Sequence, residues 1–173
     1  VPSSARADGD VVTKAIADLQ KGDATAFNAD ETLGSYSKVL GASVGGCKFA
    51  EKTVSASKRD GKYTFTGVPS SLGTGVVAIK MSNKDEEPHV MVVMRKNDGE
   101  TRSVEELLAL PEEQSATVAA PVGAAFAPPG ATSYALLQLT PGSYFYFCPI
   151  PIGGTEGAPP HFTNGMSGQF EVK

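Results

Sequence analysis

Leu139-Thr140-Pro141-Gly142-Ser143-Tyr144-Phe145-Tyr146-Phe147-Cys148 is the stretch on which the fold reading turns. Tyr134 to Thr140 reads as a strand with Ala135, Leu137 and Leu139 on one face, because side chains alternate sides along extended backbone. Pro141-Gly142 suits a type II turn, where proline fixes φ at the first central position and glycine accepts φ > 0 at the second. Ser143 to Cys148 then reads as the return strand. It is aromatic over four residues and ends on one of the two cysteines of the chain.

The same texture extends upstream. Thr53-Val54-Ser55-Ala56 and Lys62-Tyr63-Thr64-Phe65-Thr66 alternate and are split by Asp60-Gly61, a hairpin signal. Val68-Pro69 breaks the run. Gly75 to Met81 and Val90 to Arg95 are buried-strand candidates, and Asn97-Asp98-Gly99 turns the chain. Ser103-Val104-Glu105-Glu106 is a capping box that opens a short helix through Leu110, with Pro111 just beyond. The Ala/Pro/Gly-rich residues 111–130 read as loop. Downstream, a final strand runs through Phe170 and Val172. Six to eight short strands over roughly 125 residues predict an all-β fold, a Greek-key β-sandwich with one short inserted helix.

Residues 1–46 differ. Val11, Val12, Ala15, Ile16 and Leu19 fall at helical spacing between Asp10 and Lys21; Asp8 or Asp10 can cap this helix and Gly22 can stop it. A Gly/Ser/Ala-rich stretch from Gly34 to Gly46 follows. The expected organisation is a helical arm and linker over 1–46 and a β domain over 47–173. The arm's stripe either packs on its own domain or docks a partner. The chain begins Val1-Pro2-Ser3-Ser4, which reads as processed or trimmed, with any signal peptide or lipid-anchor cysteine upstream out of view.

Composition removes other classes. With a net charge of −4, the chain lacks the concentrated Lys/Arg that a sequence-independent grip on nucleic acid or anionic lipid requires. No run approaches the ~18 apolar residues of a membrane span. Gly73-Thr74-Gly75 lacks the context of a phosphate loop. A Ser–His–Asp triad would have to use a histidine outside any nucleophile-elbow motif. Met81, Met91 and Met94 sit in hydrophobic strands and read as core.

The smallest counts carry the chemistry: two His, two Cys and no Trp in 173 residues. His89 follows Pro88 and opens a strand. Cys148 closes the aromatic one. His161 follows Pro159-Pro160, and Met166 ends His161-Phe162-Thr163-Asn164-Gly165-Met166. Two imidazoles, a thiolate and a thioether are the donor set of a blue-copper site, in which a weak axial Met lets both oxidation states share one geometry. Singly, each residue has an ordinary reading: a strand-edge histidine, a core methionine, a cysteine in a disulfide.

Three segments together resemble the cupredoxins, the plastocyanin and azurin family, over roughly the C-terminal 110 residues. They are Asn83-Lys84-Asp85-Glu86-Glu87-Pro88-His89, the stretch from Leu139 to Cys148, and His161 through Met166-Ser167-Gly168. In that family an Asn-containing turn precedes the first His ligand, a Pro-Gly turn precedes an aromatic strand ending in the Cys ligand, and His and Met follow in the next loop. The resemblance implies a cupredoxin-like sandwich holding one copper ion, with His89, Cys148 and His161 equatorial and Met166 axial. It further implies a small extracytoplasmic electron carrier, not an enzyme, meeting a redox partner protein or a larger respiratory or membrane complex by the loop edge nearest His161. Phe162, Pro159, Pro160 and Gly165 would supply an apolar rim there. A similar group of secreted bacterial proteins has a long Cys-to-His loop.

The sequence departs from the family pattern at two points. Cys148 and His161 lie thirteen positions apart, where the family has a tight loop. Val90 stands where the family often has a polar residue beside the first His. The alternative reading is a binding or accessory module without a blue site, in which Cys47 and Cys148 form a disulfide, or a copper holder using His89, His161 and Met166 only. Copper enzymes with a second copper site need further His ligands, and this chain has none to spare.

Overall fold

The computed structural model describes residues 49–173. The arm at 1–46, its expected helix at 10–21 and Cys47 lie outside the described residues. The strands are β1 (Ala50–Arg59), β2 (Lys62–Thr66), β3 (Ser71–Leu72), β4 (Gly75–Asn83), β5 (His89–Lys96), β6 (Ala119–Ala127), β7 (Thr132–Leu139), β8 (Gly142–Phe147) and β9 (Ser167–Val172). Two short helices, α1 (Val104–Leu108) and α2 (Glu112–Val118), lie between β5 and β6. One sheet has the order β2-β1-β4-β7 and the other β3-β9-β8-β5-β6. The chain crosses from sheet to sheet after β2, β3, β4, β6 and β7, so the fold is a β-sandwich, as the strand pattern predicts. No helix among the described residues is long and apolar enough to cross a membrane.

Local chemistry explains most boundaries. Asp60 and Gly61 both adopt positive φ, 51° and 77°, which joins β1 to β2 in the turn whose twist suits paired strands. Ser103 caps α1 with the expected box: its side chain accepts from the Glu106 N–H, and the Glu106 carboxylate accepts from the Ser103 N–H at 2.7 Å. The core between the sheets comes from alternate positions, among them Val54, Ala56, Val77, Ile79, Met81, Met91, Val93, Leu137 and Phe170. In β8 the alternation explains why four aromatics stand in a row. Tyr144 and Tyr146 belong to this core. Phe145 instead joins Val104, Leu107 and Ala119 in a second cluster, against which Phe147 packs.

Two expectations are corrected. Residues 111–130 are not loop: they form α2 and the edge strand β6, which pairs antiparallel with β5 from His89↔Ala127 to Lys96↔Ala119. Pro121 is tolerated there because β6 is an edge strand and the register shifts between Val93 and Met94, opposite it. The close approach of the sheets uses Gly123, where a Cβ would stand 2.8 Å from the Leu137 side chain. Second, Pro141-Gly142 does not return the chain along β7. It carries the chain from one sheet to the other, with Gly142 at φ 144°. Tyr144 locks this corner by donating its hydroxyl to the Thr140 carbonyl at 2.8 Å while accepting from the Thr140 N–H at 3.0 Å. Cys148, just after β8, is fully buried within the main core.

Candidate metal centre

The fold brings the candidate donors to one end of the sandwich. β5 and β8 run antiparallel with Val92 opposite Phe147, so the first residue of β5 and the residue after β8 fall at the same pole. His89 is that first residue, and Cys148 follows β8. His161 begins a 3₁₀ turn, His161–Asn164, and Met166 precedes β9. All four are 0% exposed. Backbone bonds tie their segments together: the Cys148 N–H donates to the Met166 carbonyl at 3.1 Å and the Met166 N–H to the His161 carbonyl at 3.2 Å. The Phe162 N–H donates to the Cys148 carbonyl at 3.1 Å.

The segment between Cys148 and His161 closes on itself despite its length. Pro151 bridges Pro160, the Ile152 N–H donates to the Pro159 carbonyl at 3.0 Å, and the His161 N–H donates to the Ile150 carbonyl at 2.9 Å. Only a tip with Gly153 and Gly154 at positive φ, 67° and 62°, extends beyond. The long spacing is therefore a small hairpin whose base delivers His161 to Cys148, so length costs little of the closure geometry.

Three donor atoms converge. The Nδ1 atoms of His89 and His161 are 3.1 Å apart, and Cys148 Sγ lies 4.0 Å from the first and 3.5 Å from the second. A triangle with those sides has its centre about 2.1 Å from every corner, which is the bond length of a first-row metal to nitrogen and slightly short of that to sulfur. The outward nitrogens explain why the inward ones are bare. His89 Nε2 lies 3.1 Å from Asp85 Oδ2, and His161 Nε2 lies 3.1 Å from Glu87 Oε2. An ionised carboxylate only accepts, so each Nε2 carries the proton and each Nδ1 presents a lone pair. Two lone pairs and a sulfur aimed at one buried point are satisfied by a cation.

Electrostatics support this arrangement. Burial pushes the Glu87 carboxyl up, but hydrogen bonds from Tyr63, the Gly153 N–H, Lys58 and His161 outweigh it and bring the group down to about 2. Burial lowers His89, against the raising effect of Asp85, so its imidazole is kept neutral. Burial raises the Cys148 thiol, against the N–H groups of Val90 and Ile150. A coordinating cation reverses that balance, because a metal-bound thiol is deprotonated outright. Cys148 is a free thiol. The Val90 backbone N–H, 3.5 Å from Sγ, supplies a bond to sulfur that needs no polar side chain.

Asn83 holds the turn before His89. Its side-chain nitrogen donates to the carbonyls of Glu87 and Ala127 at 2.8 and 3.0 Å, and its oxygen accepts from the Asp85 N–H at 2.9 Å. Sequence reasoning assigned no role to Asp85, Glu87 or Tyr63. The Tyr63 ring stacks on His161 at 4.0 Å with 14° between the planes, and its hydroxyl donates to Glu87 Oε1 at 2.6 Å. The signal for the two acids was their spacing of four and two residues before His89. Tyr63 left none beyond its place in a strand.

No protein-family model matches the chain, and no curated protein matches it. Solved structures similar to it include auracyanin A, a "blue" copper protein from Chloroflexus aurantiacus, at 17% identity and a TM-score of 0.42, covering 72% of this chain and 100% of that one. Dithionite-reduced auracyanin from Roseiflexus castenholzii is similar at 16% identity and a TM-score of 0.45, covering 72% of this chain and 98% of that one. The McoA multicopper oxidase of Aquifex aeolicus is similar at 15% identity and a TM-score of 0.46, covering 73% of this chain but 30% of the oxidase. On its own topology and donor set, the described region is a two-sheet β-sandwich with a buried His-Cys-His group that could hold a metal ion.

Proposed function

We propose that this chain is a copper-binding, extracytoplasmic electron-transfer protein with one type 1 (blue) centre, in which His89, Cys148 and His161 are equatorial ligands and Met166 is axial. The observation that carries the reading is the convergence of two Nδ1 atoms and one Sγ within 4.0 Å of one another. Copper, when bound, supplies a one-electron couple between Cu(I) and Cu(II). The chain's residues do the rest. Asp85 and Glu87 hold the imidazoles in one tautomer and one orientation. The Val90 N–H supports the sulfur. Burial of all four proposed ligands keeps water out and leaves no open position for a substrate, which favours a carrier over a catalyst. Rigid strands and the closed hairpin keep the donors in place, so little reorganises when charge changes.

Exchange of electrons then takes place across the loop edge nearest His161. His161 lies beneath this edge, where Pro159 and Gly165 are exposed and Phe162 is half-buried against Phe147, their rings 5.8 Å apart. A small apolar face of that kind suits a brief encounter with a redox partner protein or a larger respiratory or membrane complex. The test is titration of reduced apoprotein with Cu(II). The reading expects an intense thiolate-to-copper absorption that saturates at one copper per chain, bleaches with a reductant and returns with an oxidant. Copper binding without that band refutes it.

A further inference from the structure

One carboxylate joins four separate pieces of this molecule. Glu87 Oε1 accepts from the Tyr63 hydroxyl at 2.6 Å and from Lys58 Nζ at 3.0 Å. Glu87 Oε2 accepts from the Gly153 N–H at 2.7 Å and stands 3.1 Å from His161 Nε2. The four donors come from β1, β2, the tip of the hairpin after Cys148 and the 3₁₀ turn that starts at His161. A surface ion pair with Lys58 would need one oxygen only. The second oxygen faces inward and serves the hairpin tip and the imidazole together.

We infer that Glu87 is a positioning residue of the metal centre, a latch that fixes His161 with its outer nitrogen protonated and its inner one bare, and that pins the hairpin tip over the same ring. The inference deepens the copper reading and rests on it for the role of His161. The geometry leaves the ring little choice. Tyr63 stacks on one face at 4.0 Å, Glu87 takes the outer nitrogen, and Cys148 Sγ lies 3.5 Å from the inner one. Flipping the ring would put its Cδ2–H in place of Nδ1 against Cys148 and His89 and leave the carboxylate without its donor. The hairpin needs the same bond for another reason. The Pro151–Pro160 bridge and the Ile152-to-Pro159 bond close its base, and in the tip beyond them Gly153 and Gly154 occupy the left-handed region that glycine visits freely. The bond from the Gly153 N–H to Glu87 adds a polar tie at this tip to the packing of Ile152 against the core. A long Cys-to-His connection thereby gains the fixed geometry that a tight loop has by its shortness, and the outer edge of His161 is closed to direct contact with a partner.

The test uses Glu87→Gln, Glu87→Ala and the control Lys58→Ala, with two readouts. In apoprotein, nitrogen-15 spectra of the imidazoles report which ring nitrogen carries the proton. Wild type and Lys58→Ala should show His161 as the single Nε2–H tautomer. Glu87→Ala, which removes the acceptor, should show a mixture with Nδ1–H, and Glu87→Gln, which keeps one acceptor oxygen for two pairs of donors, should show a smaller share of it. In copper-loaded protein, loss of the nearby negative charge disfavours Cu(II). The ratio of Cu(I) to Cu(II) affinity should therefore rise tenfold or more in Glu87→Gln, about 59 mV for a one-electron couple. An Nδ1–H tautomer in wild-type apoprotein overturns the inference. So does an unchanged tautomer with an unchanged potential in either Glu87 variant. If wild type shows no thiolate-to-copper band, the copper reading fails, and the apoprotein tautomers still decide the latch.

Discussion

Replacing Asn83 with Ala probes the support of the site without touching a proposed ligand. The side chain is 2% exposed and makes three bonds, to the Glu87 carbonyl, the Ala127 carbonyl and the Asp85 N–H. Truncation leaves those partners facing a small void. A bond of this kind contributes about 1 kcal/mol net, and a buried group left without a partner costs about 1–3 kcal/mol. The bond to Ala127 is fully buried, whereas water can reach the other two partners. The expected loss is therefore about 2–4 kcal/mol, or roughly 6–15 °C in melting temperature for a domain of this size. The fold itself should survive, because the backbone bonds from the Asn83 N–H to Ala131 and from the Lys84 N–H to Ala56 remain, at 2.8 and 2.9 Å. Asp85, Glu87 and His89 all hang from this turn, so copper affinity should fall with stability. Urea denaturation of apoprotein gives the first quantity and competition with a copper chelator the second. A variant within about 0.5 kcal/mol of wild type, with unchanged copper affinity, refutes the claim that Asn83 organises the turn.

Cys148→Ser should fold at a cost of about 1–3 kcal/mol, because a hydroxyl replaces a fully buried thiol beside the Val90 N–H, and should give no thiolate-to-copper band; a retained band in its visible spectrum contradicts the assignment. Met166→Leu conserves volume in the core and should cost under about 1.5 kcal/mol, keep the colour and shift the reduction potential; loss of colour would show that the thioether does more than tune. Apoprotein stability should decline as pH falls from 4.5 towards 2. Glu87, which burial alone would raise but its hydrogen bonds lower, and Glu100, held down by Arg102, both sit at about 2 when folded, so their stabilisation is complete above their ordinary value and is lost as they take up protons. A melting temperature constant across that range contradicts the sign.

Most of the sandwich was legible because its strands obey simple alternation. Tyr144 and Tyr146 face one way and Phe145 and Phe147 the other, and Asp60-Gly61 has one favoured geometry. β6 was not legible, since in Ala119-Ala120-Pro121-Val122-Gly123-Ala124-Ala125-Phe126-Ala127 the branched and aromatic residues that favour extended chain are few, Val122 and Phe126 among Ala, Gly and Pro. It is a strand because β5 offers it a ladder and because small side chains fit where the sheets approach closely. The corner at Pro141-Gly142 misled for a related reason: a turn type fixes local backbone and not which sheet the next strand joins. At the site, residue types and order pointed to His89, Cys148, His161 and Met166. Three consecutive acids before Pro88 do not disclose that Asp85 and Glu87 turn inward while Glu86 stays exposed. That depends on Asn83 bending the turn, a tertiary fact with no periodic signature. The long spacing from Cys148 to His161 stood as a departure from the family pattern, because a hairpin closed by Pro151 and Pro160 has no pattern of its own in sequence.

Anomalous scattering at the copper absorption edge, from crystals of copper-loaded protein, tests the central claim most directly. The account predicts one peak per chain among the described residues, within bonding distance of His89 Nδ1, Cys148 Sγ and His161 Nδ1 together. A peak bound through either Nε2, or lying away from Cys148 Sγ, would contradict it.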